Sequence, residues 1–162
     1  FLRPGQFSKN NVRVDNVLGY TINRLEEEGY FPDIIVSLEI VYPFRSDKLL
    51  DKMIIDLIDK GLDSVVAGFP EYRMAWSENE NENDYIRIDD FKTSKELRSL
   101  IYIANPGLCC VTYPNYIRNN NRIGGKVGIH QIDNQLSFLK VENDIDLNKI
   151  ISLRDQFDLN EK

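Results

Sequence analysis

Two aspartates near the end of the chain, Asp144 and Asp146, have a spacing that could bind a metal ion. If this segment is extended, side chains alternate, so both carboxylates point the same way with their Cα atoms about 6.6 Å apart. Two carboxylates placed in that way can bind Mg²⁺ and leave coordination positions for phosphate oxygens. The alternative is that Asp146 caps a C-terminal helix while Asp144 faces solvent.

Arg45 is the second candidate, in the sequence Pro43-Phe44-Arg45 between a predicted strand and a predicted helix. In open parallel sheets, ligands bind beyond the carboxyl ends of the strands, where helix N-termini favour anions. Arg45 is therefore placed to bind a carboxylate or a phosphate. An ordinary exposed loop arginine is the alternative.

Other familiar catalytic groups are missing from the sequence. It contains no P-loop, no dinucleotide-binding glycine motif and no nucleophile elbow. His130 is the only histidine and lies in a predicted strand, where a packed side chain is the ordinary case. The adjacent Cys109 and Cys110 lie in an apolar segment that is typical of core residues. Catalysis by a histidine base or a cysteine nucleophile is therefore not expected.

Apolar patterning predicts the elements that position these groups. Helical spacing predicts helices over 15–28 and 47–60, the second capped by Ser46, and another at the C-terminus. Apolar runs predict buried strands over 34–40 and 63–68, with two more in the segments GLCCVTY and GKVGIHQID. Alternating helices and buried strands predict an α/β fold with three layers and a largely parallel sheet, in which the first two strands are adjacent and parallel.

A polar, acidic segment at about 70–105 interrupts this pattern. The patch ENENEN at 78–83 is typical of a solvated loop, whereas the alternation in YIRID allows a strand arm outside the main sheet. Aromatic residues in a polar setting often anchor interfaces, so the segment is predicted to mediate self-association. Its aromatic residues include Trp76, Tyr85, Phe91 and Tyr102.

Composition excludes several classes of protein. The 162 residues are 42% hydrophobic, enough for a single globular domain over 1–162, and no apolar run reaches the roughly 20 residues of a membrane helix. A net charge of −6 argues against nucleic acid and anionic membranes as partners. Two neighbouring cysteines form no disulfide framework, which favours the cytoplasm. Because the chain opens on Phe1 without a methionine, we expect a fragment of a longer protein.

Four segments occur in an order that is typical of one enzyme family. They are Arg3-Pro4 with the helix after it, LEIVYPFR at 38–45, DSVV at 63–66 and NDIDLNKI at 143–150. In that order they are similar to an R-P segment, an L-Q-P-T-S-P-x-R motif, a D-S-V-x-S strand and a D-I-D-T-x-x-D-L metal motif. Together they resemble the acylneuraminate cytidylyltransferase family, which activates sialic acids and related sugar acids as CMP-sugars.

The resemblance implies a Rossmann-like three-layer sandwich of the nucleotide-diphospho-sugar transferase type, with a mostly parallel central sheet. It also implies a homodimer built through an excursion from the sheet. The implied reaction transfers CMP from CTP to a sugar acid and releases pyrophosphate, with Mg²⁺ as cofactor. In this interpretation Asp144 and Asp146 bind the metal and Arg3 lies near the nucleotide. Three further residues belong to the substrate pocket: Glu39, Arg45 and, in the dimer region, Arg98.

The sequence also departs from the family pattern. Glu39 stands where the family has glutamine, and Val41-Tyr42 replace its T-S pair, so a carboxylate would repel an acidic sugar. The family's glycine- and lysine/arginine-rich loop, which grips the triphosphate, does not occur, so the chain is expected to lack it as a fragment and to be inactive with CTP by itself. Two other functions fit the sequence: a catalytically silent family member used for binding or assembly, and a glycosyltransferase of similar fold that uses the D-x-D pair.

Overall fold

The computed structural model describes residues 2–9, 11–79, 84–88 and 100–160. Within them the α-helices are α1 (Val14–Glu27), α2 (Leu49–Asp59), α3 (Pro114–Arg118) and α4 (Asp144–Asn160). The strands are β1 (Ile35–Ser37), β2 (Ser64–Glu71), β3 (Trp76–Asn79), β4 (Asp84–Arg87), β5 (Ile101–Ala104), β6 (Cys110–Thr112) and β7 (Val127–Gln131). None of the helices in these ranges is both long and apolar enough to span a membrane.

The two predicted N-terminal helices form where apolar side chains recur at helical spacing. α1 is followed by Gly29 and α2 by Gly61, with φ angles of 85° and 55°, and a glycine adopts this left-handed conformation without steric cost. The predicted N-cap at Ser46 is wrong by two residues. The left-handed Lys48 precedes α2 instead, and the backbone carbonyl of Ser46 accepts a hydrogen bond from the N–H of Leu49.

The main sheet has five strands, and its order corrects the prediction of a mostly parallel sheet. β6 lies between β1 and β2 and is antiparallel to both, while β5 is antiparallel to the second half of β2. Only the pairing of β7 with β2 is parallel within the described residues. β1 and β2 therefore run in the same direction, as predicted, but they are not adjacent.

The prediction of a mostly parallel sheet was wrong because it was drawn from apolar runs. Such a run shows that both faces of a strand are covered, and it carries no information on strand direction. β6 is as deeply buried as β2, although it is antiparallel to its neighbours: Cys110 and Val111 are fully buried and Thr112 nearly so. The α/β class is confirmed, with a mixed and mostly antiparallel sheet.

Two apolar clusters hold the elements in place. α2 packs on one face of the sheet, where its Leu49, Met53 and Leu57 are buried together with residues of β2 and β6. A smaller cluster joins Phe44, in the loop after β1, to Ile150 of α4. The loop that carries Arg45 is thereby packed against the C-terminal helix.

The polar segment contains the predicted strand arm rather than only a solvated loop. β3 and β4 form a separate two-stranded antiparallel sheet, with Trp76 opposite Arg87. The guanidinium of Arg87 lies 5.9 Å from the centroid of the Trp76 ring. Phe91 and Arg98, which the sequence analysis also singled out, lie outside the described residues.

Candidate functional site

Three strands end at the same edge of the main sheet, because β1, β2 and β7 run in the same direction. A cavity of about 500 Å³ opens at this edge, and we call it the edge cavity. The residues that line it come from the loop after β1, the turn between β5 and β6, the segment before β7 and the segment after it. They include Glu39, Tyr42, Asn105, Gly107, Arg122 and Phe138.

The turn between β5 and β6 forms one wall of the edge cavity. The N–H of Asn105 donates to the carbonyl of Ala67, and the N–H of Ala67 donates to the carbonyl of Cys109. The residues between Asn105 and Cys109 therefore do not pair with β2. The N–H of Glu39 donates to the carbonyl of Gly107 at 2.8 Å. A Cβ atom at Gly107 would lie 2.6 Å from the Tyr42 ring and 2.8 Å from the Glu39 carboxyl group, so only glycine permits this close approach.

Arg45 binds backbone carbonyls on both sides of this contact. Its Nε atom donates to Leu108 at 2.8 Å, and its Nη2 atom donates to Glu39 at 2.5 Å and to Gly107 at 3.5 Å. Burial lowers the pKa of the guanidinium from its ordinary value. The sequence predicted that Arg45 would contact substrate, whereas the structure shows that it fastens the loop carrying Glu39 to the β5–β6 turn.

Arg122 is a cavity residue that the sequence analysis missed. Its Nη1 and Nη2 atoms lie 3.2 and 3.3 Å from Oε1 of Glu39, and its backbone N–H donates to Oδ1 of Asp15 at 3.1 Å. The Arg122 side chain is 13% exposed, and Asp15 also accepts a hydrogen bond from Arg13. Charges therefore alternate in sign from the start of α1 to the edge cavity.

The predicted metal ligands occupy the first turn of α4, and the expectation of an extended pair is wrong. The side-chain Oδ1 of Asn143 accepts from the N–H groups of Ile145 and Asp146, while Oδ2 of Asp146 accepts from Glu142 at 3.2 Å. A helix turns about 100° per residue, so the side chains of Asp144 and Asp146 point about 200° apart. The alternative is correct that Asp144 is exposed and that a helix begins here, but Asn143, and not Asp146, supplies the side-chain cap.

The two aspartates consequently do not fit a shared Mg²⁺ ion in this arrangement. Among residues 2–9, 11–79, 84–88 and 100–160, no three or more histidine, cysteine or acidic side chains are grouped so that they could hold a metal. The start of α4 nevertheless lies beside the loop after β1, because the N–H of Val141 donates to the carbonyl of Val41 at 2.9 Å.

One further predicted site residue, Arg3, belongs to the part of the chain that the structure describes. Arg3 is exposed, two residues before a short 3-10 helix at Gly5–Phe7, and it does not line the cavity.

Lys140, which the sequence analysis did not predict as a site residue, lies near the cavity. Its pKa is raised, first by a hydrogen bond with Glu142 and in smaller part by the charges of Tyr42 and Glu39. Cys109 and Cys110 are buried core residues, as predicted, and burial raises the pKa of their thiols to about 12 and about 11.

A second cavity of about 670 Å³ adjoins the edge cavity at Phe69 and Phe138, whose ring centroids are 4.3 Å apart. Its polar lining includes Glu71, Arg73 and Gln131. Hydrogen bonds from Arg73 hold the pKa of Glu71 at about 2, so this carboxylate stays ionised over the physiological range. Phe69 and Phe138 are therefore lining residues of both cavities.

Comparison with models of known protein families gave no match to this chain. Comparison with curated protein sequences gave no match either. Function is therefore inferred from the residues at the carboxyl edge and from the sequence motifs that form it.

Proposed function

We propose that this chain is the core of a cytidylyltransferase that transfers CMP from CTP to a sugar acid. The observation that carries the proposal is the position of the motif LEIVYPFR. Residues 38–45 follow β1 at the edge where β1, β2 and β7 end, and two of them, Glu39 and Tyr42, line the edge cavity. Ligands of open α/β sheets bind at such edges. The proposal includes a Rossmann-like three-layer fold and a cytoplasmic location.

The sugar acid is assigned to the edge cavity. Its volume of about 500 Å³ lies within the usual range for small-molecule sites, which is about 300–1,000 Å³. The carboxylate of Glu39 can accept hydrogen bonds from sugar hydroxyl groups. Glu39 would repel the carboxylate of the sugar. This repulsion is offset by the positive charge of Arg122, whose Nη1 atom lies 3.2 Å from Oε1 of Glu39.

In the proposed reaction the anomeric hydroxyl of the sugar attacks the α-phosphorus of CTP. A bond from oxygen to phosphorus forms, the hydroxyl proton passes to solvent, the bond to the bridging oxygen breaks, and pyrophosphate leaves with its electron pair. Such transfers depend chiefly on positioning and electrostatic stabilisation. The chain supplies positioning through Glu39, which Arg122 and the Arg45 anchor hold. Bound Mg²⁺ would neutralise phosphate charge, but the helical positions of Asp144 and Asp146 assign them no step.

The test is a combined binding and turnover assay. The purified chain is mixed with CTP, Mg²⁺ and a panel of sugar acids, and pyrophosphate release and CMP-sugar mass are measured alongside calorimetry. The chain by itself is expected to bind a sugar acid without turnover, and CMP-sugar formation is expected only when the chain is extended by a triphosphate-gripping loop of the family type. Failure to bind any cytidine nucleotide or sugar acid contradicts the proposal. Metal-dependent binding of a UDP-sugar in preference to CTP would indicate the glycosyltransferase instead.

A catalytically silent binding domain is the second candidate. It is favoured by the contacts of two predicted site residues, since Arg45 is bonded to backbone carbonyls and Asp146 to the backbone of Glu142. Sugar-acid or CMP-sugar binding without pyrophosphate release, even after the chain is extended by a triphosphate-gripping loop, would identify this function.

Replacing Glu39 with glutamine is expected to raise the affinity for a sugar carboxylate about tenfold, because one negative charge near the ligand is removed while Arg122 remains. Glutamine keeps the size of the side chain and occurs at this position of the resembled motif. The measurement is calorimetric titration with the sugar acid that the wild type binds. Glu142→Gln removes the same charge outside the cavity lining and serves as the control. Unchanged or weaker binding by Glu39→Gln would contradict the assignment.

The predicted homodimer is proposed to form through the β3–β4 hairpin. A two-stranded hairpin is marginally stable on its own, and this one exposes about half or more of three apolar side chains, Trp76, Tyr85 and Ile86. We expect the chain to sediment as a dimer at micromolar concentrations and Trp76→Ala to weaken the dimer at least about tenfold. The control is Tyr30→Ala, an equally exposed aromatic residue that follows α1. A monomeric wild type at these concentrations would rule the interface out.

A further inference from the structure

His130 on β7 makes a short contact with α2 that the proposed function does not use. Its Nδ1 atom lies 2.5 Å from Oδ2 of Asp56, and Oδ1 of Asp56 lies 2.6 Å from Nζ of Lys60. The side chains of His130 and Asp56 are each 19% exposed. Desolvation acts to raise the pKa of Asp56, but hydrogen bonds from Lys60 and His130 outweigh it and lower that pKa. Asp56 is therefore ionised at neutral pH, and it fixes the orientation of the ring.

A cavity of about 230 Å³ adjoins this ring and shares no lining residue with the edge cavity. Its polar lining comes from the loop before α2, from α2 itself, from β7 and from the segment after it: Ser46, Lys52, His130, Gln131, Asp133 and Asn134. Asp56 does not line this cavity, and it holds the ring of His130 through Nδ1. Nε2 is the ring nitrogen that remains for a ligand. At about 30 Å³ per water molecule, the space accommodates a small ion with some of its water.

We propose that this cavity binds a small tetrahedral oxyanion of the phosphate class, held by protonated His130 and by Lys52. A guanidinium or ammonium partner and a protonated imidazole are the side chains that bind such anions best. A divalent cation is disfavoured there, because the ammonium of Lys52 would repel it.

The charges around the ring set the pH dependence of this site. The charged groups that face it are Asp56, Lys60 and Lys52 from α2 and Asp133 from the segment after β7. With a neutral imidazole these four charges cancel, and protonation of His130 leaves one net positive charge. Anion binding is therefore expected to be stronger when the imidazole of His130 carries a proton.

The experiment uses the only histidine of the chain as its reporter. Imidazole resonances of the 162-residue chain are followed by NMR while sulfate is titrated against chloride at constant ionic strength, at about pH 5.5 and about pH 8. Sulfate keeps its charge across this range. We expect a saturable shift in the millimolar range that is at least about fivefold tighter at the lower pH. Titrations with inorganic phosphate and glycerol phosphate at the lower pH then distinguish a free ion from a phosphate ester as the natural ligand.

Two lysine variants provide the matched comparison. Lys52→Gln is expected to weaken sulfate binding about tenfold, because a charged donor is lost from the cavity. Lys149→Gln removes the same charge from an exposed position on α4 and is expected to leave binding unchanged. His130→Gln, followed through backbone amide signals, is expected to abolish the pH dependence. The proposal is overturned by the absence of a saturable shift beyond chloride, by equal affinity at both pH values, or by equal effects of the two lysine variants.

Discussion

Replacing Arg122 with methionine is expected to lower the free energy of unfolding by about 3 kcal/mol, the cost of leaving buried charges without their partner. The guanidinium contacts both Asp15 and Glu39, whose side chains are 11% and 31% exposed. Methionine preserves much of the volume but supplies no charge and no donor. Urea denaturation of the two proteins gives the difference directly.

Two further variants separate this effect from a general loss of packing. Arg24→Met removes an exposed cation that pairs with Glu27 on the surface of α1, and it is expected to cost less than about 0.5 kcal/mol. Adding Asp15→Asn and Glu39→Gln to Arg122→Met should restore part of the lost stability, because the unpaired charges are removed with their partner. A triple variant no more stable than Arg122→Met would show that the ion pairs are not the cause.

Replacing Arg45 with methionine is expected to cost about 2–3 kcal/mol, since hydrogen bonds from a charged donor contribute more than neutral ones. Its guanidinium joins carbonyls of Glu39, Gly107 and Leu108, which belong to two segments far apart in the sequence. Loss of this anchor also releases Glu39, so sugar-acid binding is expected to weaken together with stability. Urea denaturation and calorimetric titration measure the two effects.

The variant Arg45→Lys is expected to be intermediate in stability between the wild type and Arg45→Met. An ammonium group cannot reproduce the planar fork that reaches both segments, so we expect it to recover only part of the stability. Arg24→Met is again the control, because both Arg24 and its partner Glu27 are exposed on the surface of α1. We expect little change from that variant. Wild-type stability in Arg45→Met would mean that the loop is held by its apolar contacts, such as Phe44 with Ile150, rather than by the guanidinium.

The helices could be predicted from the sequence because their signals are local. The stripe of Leu49, Met53 and Leu57 and the glycine that follows α2 lie within a few turns of one another. The order of the sheet could not be predicted in this way. The position of β6 between β1 and β2 depends on pairings across long stretches of chain, and no property of any one apolar run encodes them.

In the candidate site, too, the residues with local signals could be predicted and those that depend on distant contacts could not. Glu39 and Arg45 were identified because they belong to a motif of contiguous residues after a strand. Arg122 lies in the turn-rich stretch NNNRIGG, and its role depends on Glu39 and Asp15, both distant in sequence. The aspartates of the D-x-D pair were placed in an extended segment, although Asn143 begins a helix there through its side-chain cap. The side-chain cap of Asn143 stabilises a helix here, so the alternation of side chains expected for an extended segment does not occur.

The placement of β6 also has a consequence for the order in which the molecule is assembled. Among the described residues β1 pairs only with β6, and its Ser37 bonds to Cys110, which lies 73 residues later. Closing so long a loop is entropically costly and slow compared with forming α1 or α2. The loop that carries Glu39 is therefore expected to reach its final position only once β6 has paired with β1. During synthesis on the ribosome, this loop stays without its binding partners until the C-terminal half of the chain has emerged.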